Sequence, residues 1–294
     1  MSFRADPVTV RTPASSANLG PGYDCLGLAL DVHDEITATV LGGDALEIDV
    51  DGEGADGVPR TAEHLVVRAM DAAFDLLGVA RPGLRLECRN AVPHGRGMGS
   101  SSSAIAAGIT LANALVRDVE PLDALTVLQL AHDLEGHPDN VAAALHGGLT
   151  IAWVEGFAAN AERFDVDVPV TLFVPAEPVA THAARSLLPP SVPHAAAAAN
   201  AGRAALLVAA LLHAPHRLVS ATEDQLHQQY RAEAMPESYA LMRRLRGEGV
   251  PAVISGAGPT VLAFAHGLDV ATPDGWRVLE TSVAPRGAHV VDER

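Results

Sequence analysis

The stretch PHGRGMGSSSSAIAAGI, residues 93–109, constrains this chain more than any other. Gly95, Gly97 and Gly99 alternate, Ser100, Ser101, Ser102 and Ser103 follow, and an apolar run begins at once. Glycine contributes no side-chain packing and costs entropy on folding, so three in alternation need a reason. The apolar run predicts a buried helix starting at the serines, with serine as a favoured N-cap. Free backbone N–H groups and the positive end of the helix dipole then converge on the bend, which suits an anion, a phosphate first of all. On this reading the three glycines let the main chain curl close to the anion. Ser100 and Ser101 offer N–H and hydroxyl groups, and Arg96 adds charge. A plain tight turn is the competing reading. The spacing is not the dinucleotide-binding GxGxxG pattern.

An absence narrows the chemistry further. All twenty basic residues are arginine, and the chain contains no lysine. Walker-type nucleotide loops need a lysine, protein kinases need a strand lysine, and Schiff-base enzymes need its amine. Any phosphate must therefore be held by main-chain N–H groups, hydroxyls, arginine or a metal ion. The net charge of −16 argues against a nucleic-acid or anionic-membrane partner. Cys25 and Cys88 supply neither a disulfide framework nor metal-ligand spacing. The N-terminal MSFRADPVTV lacks a signal-peptide core and no apolar stretch reads as membrane-spanning, so the cytoplasm is the expected compartment.

Periodicity predicts strands at 8–13, 35–41, 84–91, 149–154, 171–174, 250–255 and 261–265, and an exposed hairpin over 42–57. Helices are expected at 63–77, 100–116, 139–145, 195–212 and 239–246. A further helix is expected from Pro121 to about Glu135, with Leu122, Leu125, Leu128 and Ala131 inward. Residues 155–163 are the expected boundary between two lobes, 1–158 and 159–294. The mixed order of strands and helices indicates an α+β fold.

Three more segments carry candidate chemistry. LEGHPDN, residues 134–140, gathers Glu135, His137, Asp139 and Asn140 in one turn. Its carboxylates suit Mg²⁺, or equally a solvated helix end for Glu135 and an N-cap for Asp139. SSANLGPGYD, residues 15–24, offers Asn18 and Asp24 for polar substrate contacts or for turn formation. The second glycine loop, Gly256-Ala257-Gly258, could approach a ligand or pack against the first loop.

Read together, these pieces resemble the GHMP kinases. The first loop is similar to that family's PxxxGLGSS signature, with Met98 in place of leucine, a swap of similar volume. PASSANLGPGYDCLGLAL, EGHPDNVAAALHGGL and SGAGPTVLAF, in that order, resemble the members that phosphorylate homoserine. The resemblance runs from about Val10 to Phe264. It implies ATP-dependent phosphorylation of the side-chain hydroxyl of L-homoserine in threonine biosynthesis, a phosphate-loop lobe and a ferredoxin-like C-terminal lobe. It also implies that Pro93 and Gly95 to Ser103 wrap the ATP phosphates, and that Ser101 and Glu135 bind Mg²⁺. Asn18, Asp24, His137, Asn140, Arg185, Arg231 and Gly256 would meet the substrate, Asp24 its ammonium and arginine its carboxylate. A homodimer is implied as well. Two departures stand out. His64 replaces an asparagine expected near adenine. The Asp139–Asn140 pair matches the mevalonate kinases' catalytic aspartate, whereas the homoserine members transfer without a carboxylate base, leaving Asn140 to orient the hydroxyl. A mevalonate- or shikimate-type kinase and a non-catalytic nucleotide sensor are the alternatives.

Overall fold

The computed structural model describes residues 2–291. Its first sheet starts from β1 (Val8–Ala17) and β2 (Leu26–Leu41), paired antiparallel with a register shift after Pro13. β1 runs past the expected turn at Ser15, and the strand expected at 35–41 is the second half of one long β2 that starts at Leu26. The expected exposed hairpin is not there. β3 (Leu46–Gly52) buries Ile48 and Val50 and later pairs in parallel, because α1 (Leu65–Leu76) carries the chain over the sheet before β4 (Gly83–Asn90).

α2 (Ser100–Leu115) follows the glycine loop and packs against α1. Its N-cap is Gly99 in the left-handed region, not a serine, so the serines fall inside the first turn with their hydroxyls free for other partners. α3 (Ala124–Glu135) begins three residues after Pro121 and is capped by Asp123, whose carboxylate accepts from the Thr126 N–H. Leu128 and Ala131 face inward, but Leu125 is 68% exposed. Gly136 ends α3 in the left-handed region, and α4 (Pro138–His146) starts directly after. β5 (Leu149–Glu155) and β6 (Ala158–Phe164) extend the first sheet from β2, so that sheet continues beyond residue 158.

β7 (Val170–Val174) opens a second, antiparallel sheet. α5 (Thr181–Ser186), α6 (His194–Leu212), α7 (Leu218–Ala221) and α8 (Pro236–Gly247) follow, then β8 (Ala252–Ile254), β9 (Val261–Ala263) and β10 (Arg277–Thr281), in the order β10-β7-β9-β8. β11 (His289–Val290) returns to the edge of β1, giving seven strands in the first sheet among the described residues. By length and composition alone α6 could cross a membrane, with a mean hydropathy of 1.6, contrary to the expectation that no stretch would. Ten of its nineteen residues are alanine, and four leucines and one valine supply most of the rest of that hydropathy. The helix packs through Leu207, Ala210 and Leu211, and Asn200 bonds the Pro21 carbonyl and the Gln225 N–H.

One apolar cluster joins the two sheets. It includes Leu19, Leu26, Leu28 and Met98 from the first layer and Val170, Leu172, Val253 and Leu262 from the second. Met98 is fully buried there, so its side chain fastens the glycine loop to the seam between the sheets. Burying such a side chain contributes roughly 1.5–3 kcal/mol.

Candidate active site

Three segments far apart in sequence are laced at this seam. The Ser15 N–H donates to the Met98 carbonyl at 3.0 Å, and the Gly256 N–H donates to the Ala17 carbonyl at 3.0 Å. Ser255 Oγ donates to the Gly97 carbonyl at 2.6 Å and lies 2.8 Å from Ser16 Oγ. The second glycine loop therefore packs against the first. Gly97 has φ +71, and a Cβ there would land on the carbonyls of Ser255 and Gly258. Gly97→Ala is expected to lower stability by about 3 kcal/mol through left-handed strain and overpacking. Its denaturation midpoint checks this, and an unchanged midpoint would contradict it.

The laced segments wall a cavity of about 430 Å³, also lined by Asp24, Glu135, His137, Asp139, Asn140, Arg185 and Ala257. Two helix N-termini reach it. Gly99, Ser100 and Ser101 bring the start of α2, and His137, Asp139 and Asn140 the start of α4. The first N–H groups of each helix have no intrahelical partner, so the cavity wall carries positive partial charge without a lysine.

Glu135 closes α3 and faces the α2 serines. Ser101 Oγ donates to its Oε1 at 2.6 Å and Ser102 Oγ at 3.0 Å. A carboxylate at a helix C-terminus opposes the dipole, which makes Glu135 a candidate for pairing with a cation. Asn140 is oriented from behind, because Ser15 Oγ donates to its Oδ1 at 2.9 Å. That leaves its NH₂ for a ligand. Asp139 is 2% exposed, and its Oδ1 accepts from the Asn140 N–H at 2.8 Å. His137 is the α4 N-cap in place of Asp139, its Nδ1 3.3 Å from Asp139 Oδ1. The neighbouring Asp139 raises the His137 pKa in spite of burial.

Elsewhere on the cavity wall Arg185 grips Asp24 with its two terminal guanidinium nitrogens, at 2.9 and 3.2 Å. Partial burial pulls the Arg185 guanidinium down, but the Asp24 hydrogen bond and charge outweigh it and leave it more basic than usual. Asn18, at positive φ, donates to the Gly256 carbonyl at 2.8 Å and accepts from the Asp24 N–H at 2.9 Å, which fixes where Asp24 stands.

Several residues expected at the site do not line it. Arg96 turns away, because its guanidinium donates to the carbonyls of His94, Pro175 and Ala176. Pro93, Met98 (by its side chain), Ser102 and Ser103 are buried in supporting positions. Arg231 is 2% exposed and sits behind Tyr23, 5.5 Å above that ring and 3.2 Å from His227 Nδ1. It holds up the wall instead of forming it. Sequence reasoning missed Ser15 and Tyr23 as participants, although both lie inside the motif it selected. It also missed Asp34, for which no local signal exists.

A second cavity, of about 250 Å³, adjoins the first across Ser100 and Ser101. Ile36, Val58, Pro59, Leu65 and Val66 make it apolar, and Asn90, His64 and His94 give it polar edges. His64 is 5% exposed and its Nδ1 has no partner.

The family models agree with this architecture. The GHMP kinases N terminal domain matches residues 64–148, and the GHMP kinases C terminal domain matches 196–272. The chain belongs to the GHMP kinase family. Within it, the chain groups with the homoserine kinases. It is 58% identical to the homoserine kinase of Streptomyces coelicolor over 90% of this chain and 86% of that one. It is 54% identical to the homoserine kinase of Streptomyces avermitilis over 99% and 97%. The crystal structure of homoserine kinase from Cytophaga hutchinsonii superposes with a TM-score of 0.84 at 25% identity, covering 99% of this chain and 100% of that one. L. major mevalonate kinase shares the fold, at a TM-score of 0.72 and 15% identity, over 97% and 98%.

Proposed function

We propose that this chain, a homoserine kinase (ATP:L-homoserine O-phosphotransferase), carries out its reaction in the 430 Å³ cavity. The observation that supports this most is convergence. One cavity holds a carboxylate for an ammonium, an arginine for a carboxylate, an oriented amide and a lysine-free phosphate loop. A small hydroxy amino acid needs the first two, and phosphoryl transfer needs the rest.

On this reading the zwitterion parts Asp24 from Arg185. Asp24 takes its ammonium and Arg185 its carboxylate. The free pair is partly exposed and worth only about 0–1 kcal/mol, so parting it costs little. Asn140, held by Ser15, directs its NH₂ to the hydroxyl oxygen and points it along the line of transfer. His137 and Gly256 close the sides of the pocket. The ATP phosphates rest on Gly95, Gly97, Gly99, Ser100 and Ser101, whose main-chain N–H groups replace the missing lysine. The nucleoside lies in the adjoining apolar cavity, with unpartnered His64 Nδ1 at the base.

The donors beside the phosphate loop, the Ser101 hydroxyl and the Glu135 carboxylate, are all oxygen and fit a hard cation. Ser101 and Glu135 would hold Mg²⁺ there, and the ion would supply charge neutralisation to the phosphates. The family resemblance extends the proposal to a homodimer in the cytoplasm. The two family models fall on either side of residue 158, and the first sheet runs to Phe164, so we put the lobe boundary between β6 and β7.

Asp139 has no part as a base in this scheme: its Oδ1 accepts from the Asn140 N–H and lies 3.3 Å from His137 Nδ1, which gives the carboxylate a role in holding the start of α4. Phosphoryl transfer depends mainly on position and charge neutralisation, and the hydroxyl proton leaves late. Asp139→Asn is therefore expected to keep kcat within about fivefold of the parent, measured by ADP release with saturating homoserine. A fall of several orders of magnitude would make Asp139 the base.

A further inference from the structure

We propose that Asp34 is a positioning residue that ties together the two ends of the phosphate loop and thereby sets its grip on nucleotide. Asp34 lies on β2, one residue beyond the Glu35–Arg89 pair where the ladder with β4 stops. From there its carboxylate reaches the chain on both sides of the loop. Oδ1 accepts from the Ala91 N–H at 2.7 Å and the Val92 N–H at 2.9 Å, just before Pro93. Oδ2 accepts from Ser103 Oγ at 3.2 Å, in the first turn of α2. Residues 93–102, the whole glycine-serine bend, hang between these anchors.

The arrangement is costly, which argues that it is kept for a purpose other than stability. Asp34 is 3% exposed, and no salt bridge forms to it among the described residues. Glu53, after β3, and the buried Cys88 thiol of β4 are its close titratable neighbours. Glu63, His64 and His94 share the adjoining cavity with it. Burial pushes its carboxyl up to about 6, although the Val92, Ala91 and Ser103 donors pull the other way. A buried carboxylate with no cation is a poor choice for a strand unless its acceptor oxygens are needed. Every hydrogen bond it makes goes to an end of the loop.

A second carboxylate acts on the same helical turn. Ser101 and Ser102 donate to Glu135, while Ser103 donates to Asp34. The first turn of α2 is thus held from two sides, and its N–H groups stay aimed at one point. A misplacement of about 1 Å in such an array can cost as much as a hundredfold in rate.

The proposal rests on the phosphate loop being the nucleotide site. Its test is calorimetric titration of the full chain with ADP and, separately, with homoserine. Asp34→Ala should weaken ADP by about tenfold or more and leave homoserine affinity within about twofold. Asp34→Asn should recover ADP to within about threefold, because its amide oxygen still accepts from the two N–H groups and its NH₂ can donate to Ser103 Oγ. Ser103→Ala, which removes one bond of the three, should weaken ADP alone by about two- to fivefold. It decides the matter if Asp34→Ala does not fold. Equal losses for both ligands, an Asp34→Asn as weak as Asp34→Ala, or an unaltered Ser103→Ala would overturn the role of Asp34. Gly97→Ala separates the two readings. If it loses ADP while Asp34→Ala and Ser103→Ala do not, only the role of Asp34 fails. If none loses ADP, the loop itself is not the nucleotide site.

Discussion

Glu135→Ala is expected to lower kcat by about three orders of magnitude, with little change in KM for homoserine. The size follows from the placement of the carboxylate. It sits at the C-terminal end of α3, where the helix dipole repels it, and receives two serine hydroxyls from α2. It is the acid that faces the phosphate loop, so it is the one able to hold a cation against the transferring phosphoryl group. Losing a fixed charge that acts mainly in the transition state costs about 3–4 kcal/mol, and most of that appears in kcat. On the proposed reading homoserine is gripped elsewhere, by Asp24 and Arg185, so its KM has no reason to move. Steady-state ADP release at saturating substrates tests this, with a melting curve to show that the variant is folded. A kcat within tenfold of the parent would remove Glu135 from the catalytic centre.

Arg185→Ala should raise KM for homoserine about a hundredfold and leave KM for ATP nearly unchanged. The substrate carboxylate would lose a bidentate, charge-assisted partner, a loss of about 2–5 kcal/mol for a pair removed from water. Arg185→Lys should recover only part of this, because a single ammonium cannot reproduce the planar fork. The same geometry explains the preference for an amino acid. A hydroxy acid without an amine would satisfy Arg185 but leave Asp24 facing the cavity without a partner, and sites built to pair a charge discriminate strongly against ligands lacking it. Equal catalytic efficiency of Arg185→Ala on homoserine and on its carboxamide would support the assignment. An unchanged KM would refute it.

The sequence carried what is local. An alternating-glycine bend before an apolar helix points to a left-handed loop that presents free N–H groups, because glycine's left-handed backbone and a helix's first N–H groups are properties of a few neighbouring residues. Lysine's absence likewise decided how a phosphate could be held. Even within local structure some features escaped. Gly99, not a serine, caps α2, because the left-handed backbone that the loop needs is cheapest for glycine. The sheet pairing of β3 escaped too, since a parallel neighbour is chosen by the crossover of α1 and not by alternation within the strand.

What only the tertiary structure decided is where each side chain spends its polar groups. Arg96 and Arg231 read as ligand cations in one dimension, but the His94 carbonyl and those of Pro175 and Ala176, just past β7, take the first and Tyr23 screens the second. Asp34 sits in the middle of β2 and comes within reach of the Ala91 and Val92 N–H groups only because the β2–β4 ladder stops one residue away, where the chain leaves β4. Hydrogen bonds and burial act over a few ångströms of space, and the fold, not sequence spacing, determines which residues come that close.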